Sequence, residues 1–227
     1  MALKLTGTPK SSCTLKVLLT LAEKGISNFE FINIDLMKGE QKAGIWFLLH
    51  LPLPSHLTKQ PFGVVPILED GEISLYESRA ICRYLAKKYD NIGTPLLPDL
   101  SNLTTMGYFE QWASVEMANF DAIARPLQWE IIFKPITGES KNEELIHSLL
   151  ATLAQKLDVY DGAILAKQKY MAGDTFTLVD IFYMPLMSYM FRMGFGHMIT
   201  DRANVKAWWE SVSSRDSWKR FGVGATV

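Results

Sequence analysis

The first ninety residues alternate between short apolar runs that are typical of strands and longer apolar stripes that are typical of helices. This alternation limits the possible folds more than any other feature of the chain. Strands are predicted at residues 3–6 and 29–34, with a helix at 12–24 between them and a second helical stretch beginning near Gly39. The pattern predicts an α/β domain.

Two more strand-like runs, at residues 65–69 and 73–76, are joined through Asp70 and Gly71. Asp-Gly between two such runs predicts a tight hairpin turn in which both residues have a positive φ. A helical stripe at 81–88 follows. The order of elements is therefore β-α-β-α-β-β-α.

The first domain ends with the helix at 81–88, which Ser78 is placed to cap. After this domain the pattern of the chain changes. Residues 91–98 contain Gly and Pro and predict a linker between a first domain at 1–90 and a second at 99–227. The second domain has helical periodicity only, so we expect it to be all-helical.

One helix start in the second domain has a specific signature. Thr177 and Asp180 match a capping box, and Phe176 and Ile181 flank it as a hydrophobic staple. An aspartate in this position is far more often structural than catalytic. We therefore predict a structural role for Asp180.

Charge and cysteine content exclude several classes of function. Lys plus Arg (23) nearly balances Asp plus Glu (24), so neither a nucleic acid nor a membrane surface is expected as a partner. Two cysteines, Cys13 and Cys82, cannot form the disulfide framework of a small secreted protein. The first ten residues lack the apolar core of a signal peptide. These features predict a cytoplasmic protein.

Three short segments of the first domain carry the candidate chemistry. They are residues 7–14 after the first strand, 62–66 before the hairpin and 76–79 after it. The predicted strand order brings all three to one edge of the sheet. No P-loop, dinucleotide fingerprint or metal-ligand spacing accompanies them, so no metal is expected.

These segments resemble the glutathione transferases, and most closely their phi class. The resemblance covers nearly the whole chain, and its motifs are a serine two residues after a proline (Ser11), G-E-x-K at 39–42, F-G-x-V-P at 62–66, E-S-R-A-I at 77–81, N-F-D at 119–121, L-D-V-Y at 157–160 and F-T-L-x-D at 176–180. Each motif alone is weak, whereas their order and spacing together are highly specific.

The resemblance implies a fold and a reaction. The fold is a thioredoxin-like α/β domain followed by an all-α helical domain. The reaction adds the sulfur of glutathione, as a co-substrate and not a cofactor, to a hydrophobic electrophile, or reduces an organic hydroperoxide with it. The resemblance also implies a homodimer.

Ser11, before the first helix, can lower the pKa of a bound thiol. A free thiol has a pKa of about 8.5, and lowering it by about two units takes about 2.7 kcal/mol of preferential stabilisation of the thiolate. A helix N-terminus supplies about 0.3–1 kcal/mol and a hydrogen bond to a charged group about 1.5–3 kcal/mol. Ser11 can supply both, as a donor and not as a nucleophile. The alternative is that Ser11 or Ser12 only caps the helix.

The rest of glutathione would be held along its length, as the resemblance implies. Val65 would pair its backbone with the cysteinyl unit, beside a cis peptide at Pro66. Glu77 and Ser78 would bind the γ-glutamyl end, with a carboxylate for its ammonium and a helix N-terminus for its carboxylate. The alternatives are that Pro66 is an ordinary proline at a strand start, that Ser78 only caps the helix and that Glu77 is a solvated surface acid.

Gln41 and Lys42 would bind the glycyl carboxylate, although a lysine on an exposed helix is as often merely solvated. The electrophile site would lie between the two domains. Its residues would be Ser12, Leu36, Met117 and Phe120, unless these are simply core or interface residues.

The chain departs from the phi-class pattern in three places. Gln41 stands where many relatives have histidine, and Val64 stands where many have a glutamine that contacts glutathione. Each change predicts a loss of about 1 kcal/mol, or severalfold in affinity. An insertion of about ten residues, within 44–58, has no charged side chain, and its prolines at 52 and 54 forbid a continuous helix.

Two other functions remain open from the sequence. Cys13, also near the start of the first helix, could make the protein a thiol transferase. Against this, Cys13 is turned about 200° around the helix from Ser11. The second alternative is a non-catalytic protein that binds ligands or partners on the same scaffold, which the insertion and Val64 would favour.

Overall fold

The computed structural model describes residues 3–35 and 55–222. The chain divides into two compact units, Met1–Thr94 and Pro95–Val227. Within the described ranges, no helix is both long enough and apolar enough to cross a membrane.

The first unit is built on a sheet that has four strands among the described residues, in the order β2-β1-β3-β4. The strands are β1 Lys4–Gly7, β2 Glu30–Asn33, β3 Ile67–Asp70 and β4 Ile73–Tyr76. β1 pairs with β2 in parallel and with β3 in antiparallel register, and β3 pairs with β4 in antiparallel register. The described elements follow the predicted order of strands and helices.

The helices of the first unit are α1 Ser12–Glu23, α2 Ser55–Lys59 and α3 Ser78–Lys88. α1 and α3 pack against each other. Leu15 and Leu19 of α1, Ile81 and Leu85 of α3 and Leu5 of β1 have no exposed surface. Apolar burial on this scale is the main force that holds a sheet and its helices together.

The hairpin turn lies one residue later than the sequence predicted. Asp70 is the last residue of β3 and pairs with Ile73, so the loop consists of Gly71 and Glu72. Gly71 has a φ of 64°, whereas Asp70 has no positive φ. The Asp70 carboxylate accepts a hydrogen bond of 2.7 Å from the hydroxyl of Tyr84 in α3. A rule that considers only the turn residues cannot predict this contact, because Asp70 and Tyr84 lie 14 residues apart in the chain.

Ser78 does not cap α3, contrary to the prediction. It is the first residue of the helix and is buried. The preceding Glu77 takes the cap position with a φ of 69° and makes no capping hydrogen bond with its side chain. The sharp change of direction between β4 and α3 therefore falls on Glu77.

The regular secondary structure of the second unit's described residues is helical, as predicted. It contains α4 Leu103–Glu116, α5 Ala122–Gln128, α6 Lys134–Ile136, α7 Glu143–Val159, α8 Leu178–Arg192, α9 His197–Thr200, α10 Ala203–Ser213 and α11 Asp216–Phe221. Wide π-type turns at Met117–Asp121 and Trp129–Phe133 join α4 to α5 and α5 to α6, and a third at Tyr160–Ile164 extends α7.

α8 is the centre of this unit. Every residue from Leu178 to Met190 is buried, and α8 contacts α4, α5, α9 and α10. A helix that is buried on all sides is surrounded by other elements, so its polar residues need internal partners.

Asp180 has such partners, and the predicted capping box is confirmed. Its carboxylate accepts hydrogen bonds of 2.9 Å from the backbone N–H groups of Met171 and Thr177 and from the Trp208 indole N–H. Burial raises the pKa of Asp180 to about 6, and these hydrogen bonds act in the opposite direction. The carboxylate thus joins the start of α8 to α10 and to the loop before α8.

We expect Asp180→Ala to lower the free energy of unfolding by about 3 kcal/mol or more, because it leaves three buried N–H donors without an acceptor. Urea denaturation measures this change. Asp158→Ala is the matched control, because Asp158 forms an ion pair with Arg202 from a largely exposed position and should change stability little. Equal, small effects of both substitutions would contradict the structural role of Asp180.

Candidate functional site

The three predicted site segments lie at one edge of the sheet, and the strand register shows why. Ile67, the first residue of β3, pairs with Thr6 on one side and with Tyr76 on the other. The ends of β1 and β4 and the start of β3 therefore coincide. Segment 7–14 continues β1, 62–66 leads into β3, and 76–79 follows β4. This part of the prediction is confirmed.

Ser11 is positioned by a tight turn between β1 and α1. Its backbone N–H donates a hydrogen bond of 2.9 Å to the carbonyl of Thr8, and Pro9 occupies the turn position where its fixed φ is favourable. Ser11 is the N-cap of α1, with φ −86° and ψ 125°, and its Oγ accepts a hydrogen bond of 3.3 Å from the Thr14 N–H.

Capping leaves Ser11 able to bind an anion. A hydroxyl that accepts a hydrogen bond still has its own hydrogen to donate. The first turn of α1 contains no acidic residue, so no carboxylate there neutralises the positive end of the helix dipole. One side chain can therefore be both the cap and the thiolate donor, so these two roles of Ser11 do not exclude each other.

Gly7 allows the end of β1 and the first turn of α1 to approach closely. A Cβ atom at Gly7 would lie only 2.5 Å from the Oγ1 of Thr14. Thr14 is fully buried, and its Oγ1 has no hydrogen-bond partner within the described part of the chain. The contact fixes how far the start of α1 stands from the sheet edge.

Val65 and Pro66 are joined by a cis peptide bond, as predicted. The pairing of Ile67 with Thr6 and Tyr76 is the last one in both ladders, and Val65 lies two residues before it in the chain. Val65 is largely buried. Its backbone therefore leads into the strand end that the Ser11 loop and the start of α3 also adjoin.

Glu77 has an unusual backbone conformation at this edge. Among the described residues, it is the only non-glycine residue with a positive φ. Such a conformation costs about 1–3 kcal/mol and occurs most often at functional sites. The conformation places Ser78 directly at the N-terminus of α3, where backbone N–H groups favour a negative charge.

Comparison with known proteins agrees with this geometry. Residues 1–87 match the family model of the glutathione S-transferase N-terminal domain, and residues 120–216 match that of the C-terminal domain. Glutathione S-transferase F12 of Arabidopsis thaliana is 40% identical over 224 residues, which cover 98% of each chain. A glutathione S-transferase of Silene vulgaris is 38% identical over 222 residues, which cover 97% of this chain and 96% of that one.

The chain belongs to the glutathione S-transferase family. Its Arabidopsis relatives F10 to F13 are phi-class enzymes, so the resemblance predicted from the sequence motifs is confirmed, as is the assignment as a glutathione transferase. The thioredoxin-like and all-helical fold is confirmed as well.

Solved structures of this family have the same fold. Glutathione transferase F7 from Populus trichocarpa is 34% identical, with a TM-score of 0.89 and complete coverage of both chains. Glutathione S-transferase I from maize, in complex with an atrazine glutathione conjugate, is 30% identical, with a TM-score of 0.85 and coverage of 99% of this chain and 98% of that one.

Several residues that the sequence assigned to this transferase's site lie outside the described residues. They are Gln41 and Lys42 for the glycyl carboxylate and Leu36 for the electrophile. Most of the insertion, up to residue 54, also lies outside them. Its described end is α2, which starts directly after the second proline of the insertion.

The electrophile residues have contrasting surroundings. Met117 is 55% exposed and Ser12 is buried. Phe120 has no exposed surface, and its ring lies 4.9 Å from that of Tyr183 on α8. The Phe120 ring is thus packed within the second unit, and its place in the electrophile site stays a prediction. The roles of Ser12 and Met117 stay predictions.

One polar residue near the site was missed. The Nε2 atom of His56 on α2 lies 2.9 Å from the carbonyl oxygen of Val64, next to the Val65 backbone. The sequence gives no local signal for this contact, because His56 and Val64 meet only through the loop between α2 and β3. Within the described part of the chain, no group of three or more His, Cys, Asp or Glu residues could hold a metal.

The two cysteines differ in accessibility. Cys82 on α3 is fully buried, and burial raises the pKa of its thiol to about 11. Such a thiol is inert at neutral pH. Cys13 is half-buried and is the second residue of α1, whereas Ser11 precedes the helix. The thiol-transferase alternative therefore depends on Cys13 alone.

We expect Cys13→Ala to keep the conjugation rate within about twofold of the wild type, because a thiolate of glutathione, not of the protein, is the proposed nucleophile. Steady-state conjugation of glutathione to a chlorinated dinitrobenzene measures the rate. Alkylation of the wild type with iodoacetamide before the assay tests the same point, because Cys82 is buried and the reagent would modify Cys13. A large loss in the variant would instead support the Cys13 mechanism.

Proposed function

We propose that this transferase binds glutathione at the sheet edge, with the thiol at Ser11, and adds the sulfur to an electrophilic carbon. The observation that supports this most directly is the position of Ser11. It caps α1 with a lone pair, keeps a hydrogen to donate, and stands at a helix N-terminus whose first turn has no acidic residue.

The remainder of glutathione would follow the site edge in a defined direction. The cysteinyl unit would pair with the backbone of Val65, two residues before β3, whose first residue pairs with Thr6 near the end of β1. The γ-glutamyl end would extend to Glu77 and Ser78 at the start of α3. Its ammonium would face the Glu77 carboxylate, and its carboxylate the N–H groups of the helix.

The chemical step would need little from the protein beyond the thiolate. The sulfur forms a bond to an electrophilic carbon while a group such as chloride departs with the bonding electrons. The maize relative binds an atrazine glutathione conjugate, which supports hydrophobic aromatic electrophiles as a substrate class. With an organic hydroperoxide, the thiolate would attack oxygen and release the alcohol, and a second glutathione would then give the disulfide and water.

A non-catalytic binding protein is the second candidate. Val64, which replaces a residue that many relatives use to contact glutathione, is 47% exposed and offers no polar side chain. A weakened glutathione site on an intact scaffold would leave binding of hydrophobic ligands as the function.

We expect Ser11→Ala to lower kcat/KM for conjugation at least about tenfold, because the thiolate loses a charge-assisted hydrogen bond. Ser11→Asp separates this role from capping, since aspartate is a good N-cap but has no hydrogen to donate. We expect Ser11→Asp to keep the thermal stability of the wild type and still lose activity. A chlorinated dinitrobenzene and an organic hydroperoxide serve as the two substrates.

Wild-type activity in Ser11→Asp would contradict the donor role of Ser11. No measurable rate in the wild type would contradict the transferase mechanism altogether. Binding of hydrophobic ligands by that inactive protein would then support the non-catalytic function.

We also propose that the protein is a homodimer, as its phi-class resemblance implies. The loop before β3 exposes Phe62 (71%), whose ring packs edge-to-face on Tyr76 at 6.2 Å. Tyr76 is exposed as well, and two adjacent exposed aromatic side chains form the kind of surface that protein–protein interfaces cover.

We expect Phe62→Ala to weaken the dimer at least about tenfold, because truncation of an aromatic anchor costs about 2 kcal/mol or more. Sedimentation equilibrium measures the dissociation constant. Ile92→Ala is the matched control, since Ile92 is also apolar and exposed but follows the C-terminal end of α3. A wild-type protein that sediments as a monomer would contradict the proposal.

A further inference from the structure

His56 donates a hydrogen bond into the loop that forms one side of the proposed glutathione site. Its Nε2 lies 2.9 Å from the carbonyl oxygen of Val64, and its side chain is largely buried. A carbonyl oxygen can only accept, so Nε2 carries the hydrogen. This contact lies at the end of the insertion that distinguishes the chain from the phi-class pattern.

The same turn of α2 holds the whole loop between α2 and β3. The N–H of Gln60 donates to the carbonyl of His56 at 2.8 Å, and the N–H of Gly63 donates to the carbonyl of Gln60 at 3.1 Å. The side-chain oxygen of Gln60 accepts from the Phe62 N–H at 2.6 Å. Three hydrogen bonds therefore shape the loop, and the His56 imidazole holds its last peptide before Val65.

The held peptide group also contains the N–H of Val65. The Val64–Val65 bond is trans, since the cis bond of this segment is the next one. In a trans peptide the C=O and N–H point in opposite directions. A donor that fixes the Val64 carbonyl therefore fixes the direction of the Val65 N–H.

No neighbouring backbone N–H can replace the N–H of Val65. Pro66 has no backbone N–H, and the next residue, Ile67, is already part of β3. The Val65 N–H is thus the last backbone donor of the loop, and it precedes the strand at the sheet edge where glutathione would lie. Rotation of this one peptide would remove the donor from the site.

We propose that His56 is a positioning residue for glutathione, acting through the Val64–Val65 peptide. The inference rests on the proposed function, in which the Val65 backbone pairs with the cysteinyl unit. Because Ser11 lies on a different loop, His56 affects the binding of glutathione and leaves the chemistry of bound thiolate unchanged. The affinity for the electrophile also stays the same.

The test is His56→Phe, which keeps a ring of similar shape and removes the donor. We expect Kd and KM for glutathione to rise about five- to tenfold, the equivalent of one lost hydrogen bond in an ordered loop. The kcat at saturating glutathione and the KM for the electrophile should stay within about twofold. His56→Gln, which retains an N–H donor, should recover most of the affinity.

Lys59→Met is the matched control on the same helix. Lys59 forms an exposed ion pair of 2.7 Å with Glu69 of β3, so its loss loosens α2 without touching the Val64 peptide. We expect Kd for glutathione in this variant to equal that of the wild type. If His56→Phe does not fold, His56→Ala measured with and without added imidazole makes the same comparison, and we expect imidazole to tighten glutathione binding.

Three results would overturn the inference. The first is a Kd for glutathione in His56→Phe that equals the Kd of the wild type. The second is a fall in kcat together with a rise in both KM values. Lys59→Met would share this result if the substitution at His56 only loosened α2. The third is a wild-type protein that does not bind glutathione by calorimetry, which would overturn the proposed function too. Only the first two leave the proposed function standing.

Discussion

The pairing of Ile67 with both Thr6 and Tyr76 sets the position of everything at the proposed site. Because β3 lies between β1 and β4 and runs antiparallel to both, its start and their ends share one edge. Strand pairing alone therefore brings the loop before α1, the cis proline and the start of α3 to the same end of the sheet. A slip of one residue in either ladder would separate them and would turn each side chain to the opposite face of the sheet.

Two helix N-termini of this chain use the same chemistry for opposite purposes. At α8, Thr177 accepts from the Val179 N–H, and the buried Asp180 carboxylate of the first turn accepts from three N–H groups outside that turn, so this helix start already holds an acidic group that serves stability. At α1, Ser11 accepts one N–H and no acidic residue follows in the first turn, so the helix start remains open to an anion. The difference between the two helix starts is whether the protein places its own carboxylate in the first turn.

The loop before β3 combines several demands in a few residues. It exposes Phe62, buries Val65 and presents the last backbone N–H before the sheet. Backbone groups bind a ligand well only if their direction is fixed beforehand, because ordering a loop during binding reduces affinity. The hydrogen bonds of α2, including that of His56 to Val64, supply this order.

The sequence by itself determined the local elements and the family. The periodicity of apolar residues located α1 and α3, Asp70 and Gly71 indicated the hairpin, the Thr177–Asp180 pattern located the start of α8, and the resemblance to the phi class implied the cis peptide at Pro66. Tertiary structure alone decided the burial of Phe120 against Tyr183, the place of Ser78 inside α3, the turn at Gly71 and the partner of His56. These depend on residues distant in the chain or on the path of a loop, whereas periodicity and capping depend on neighbours within a few positions.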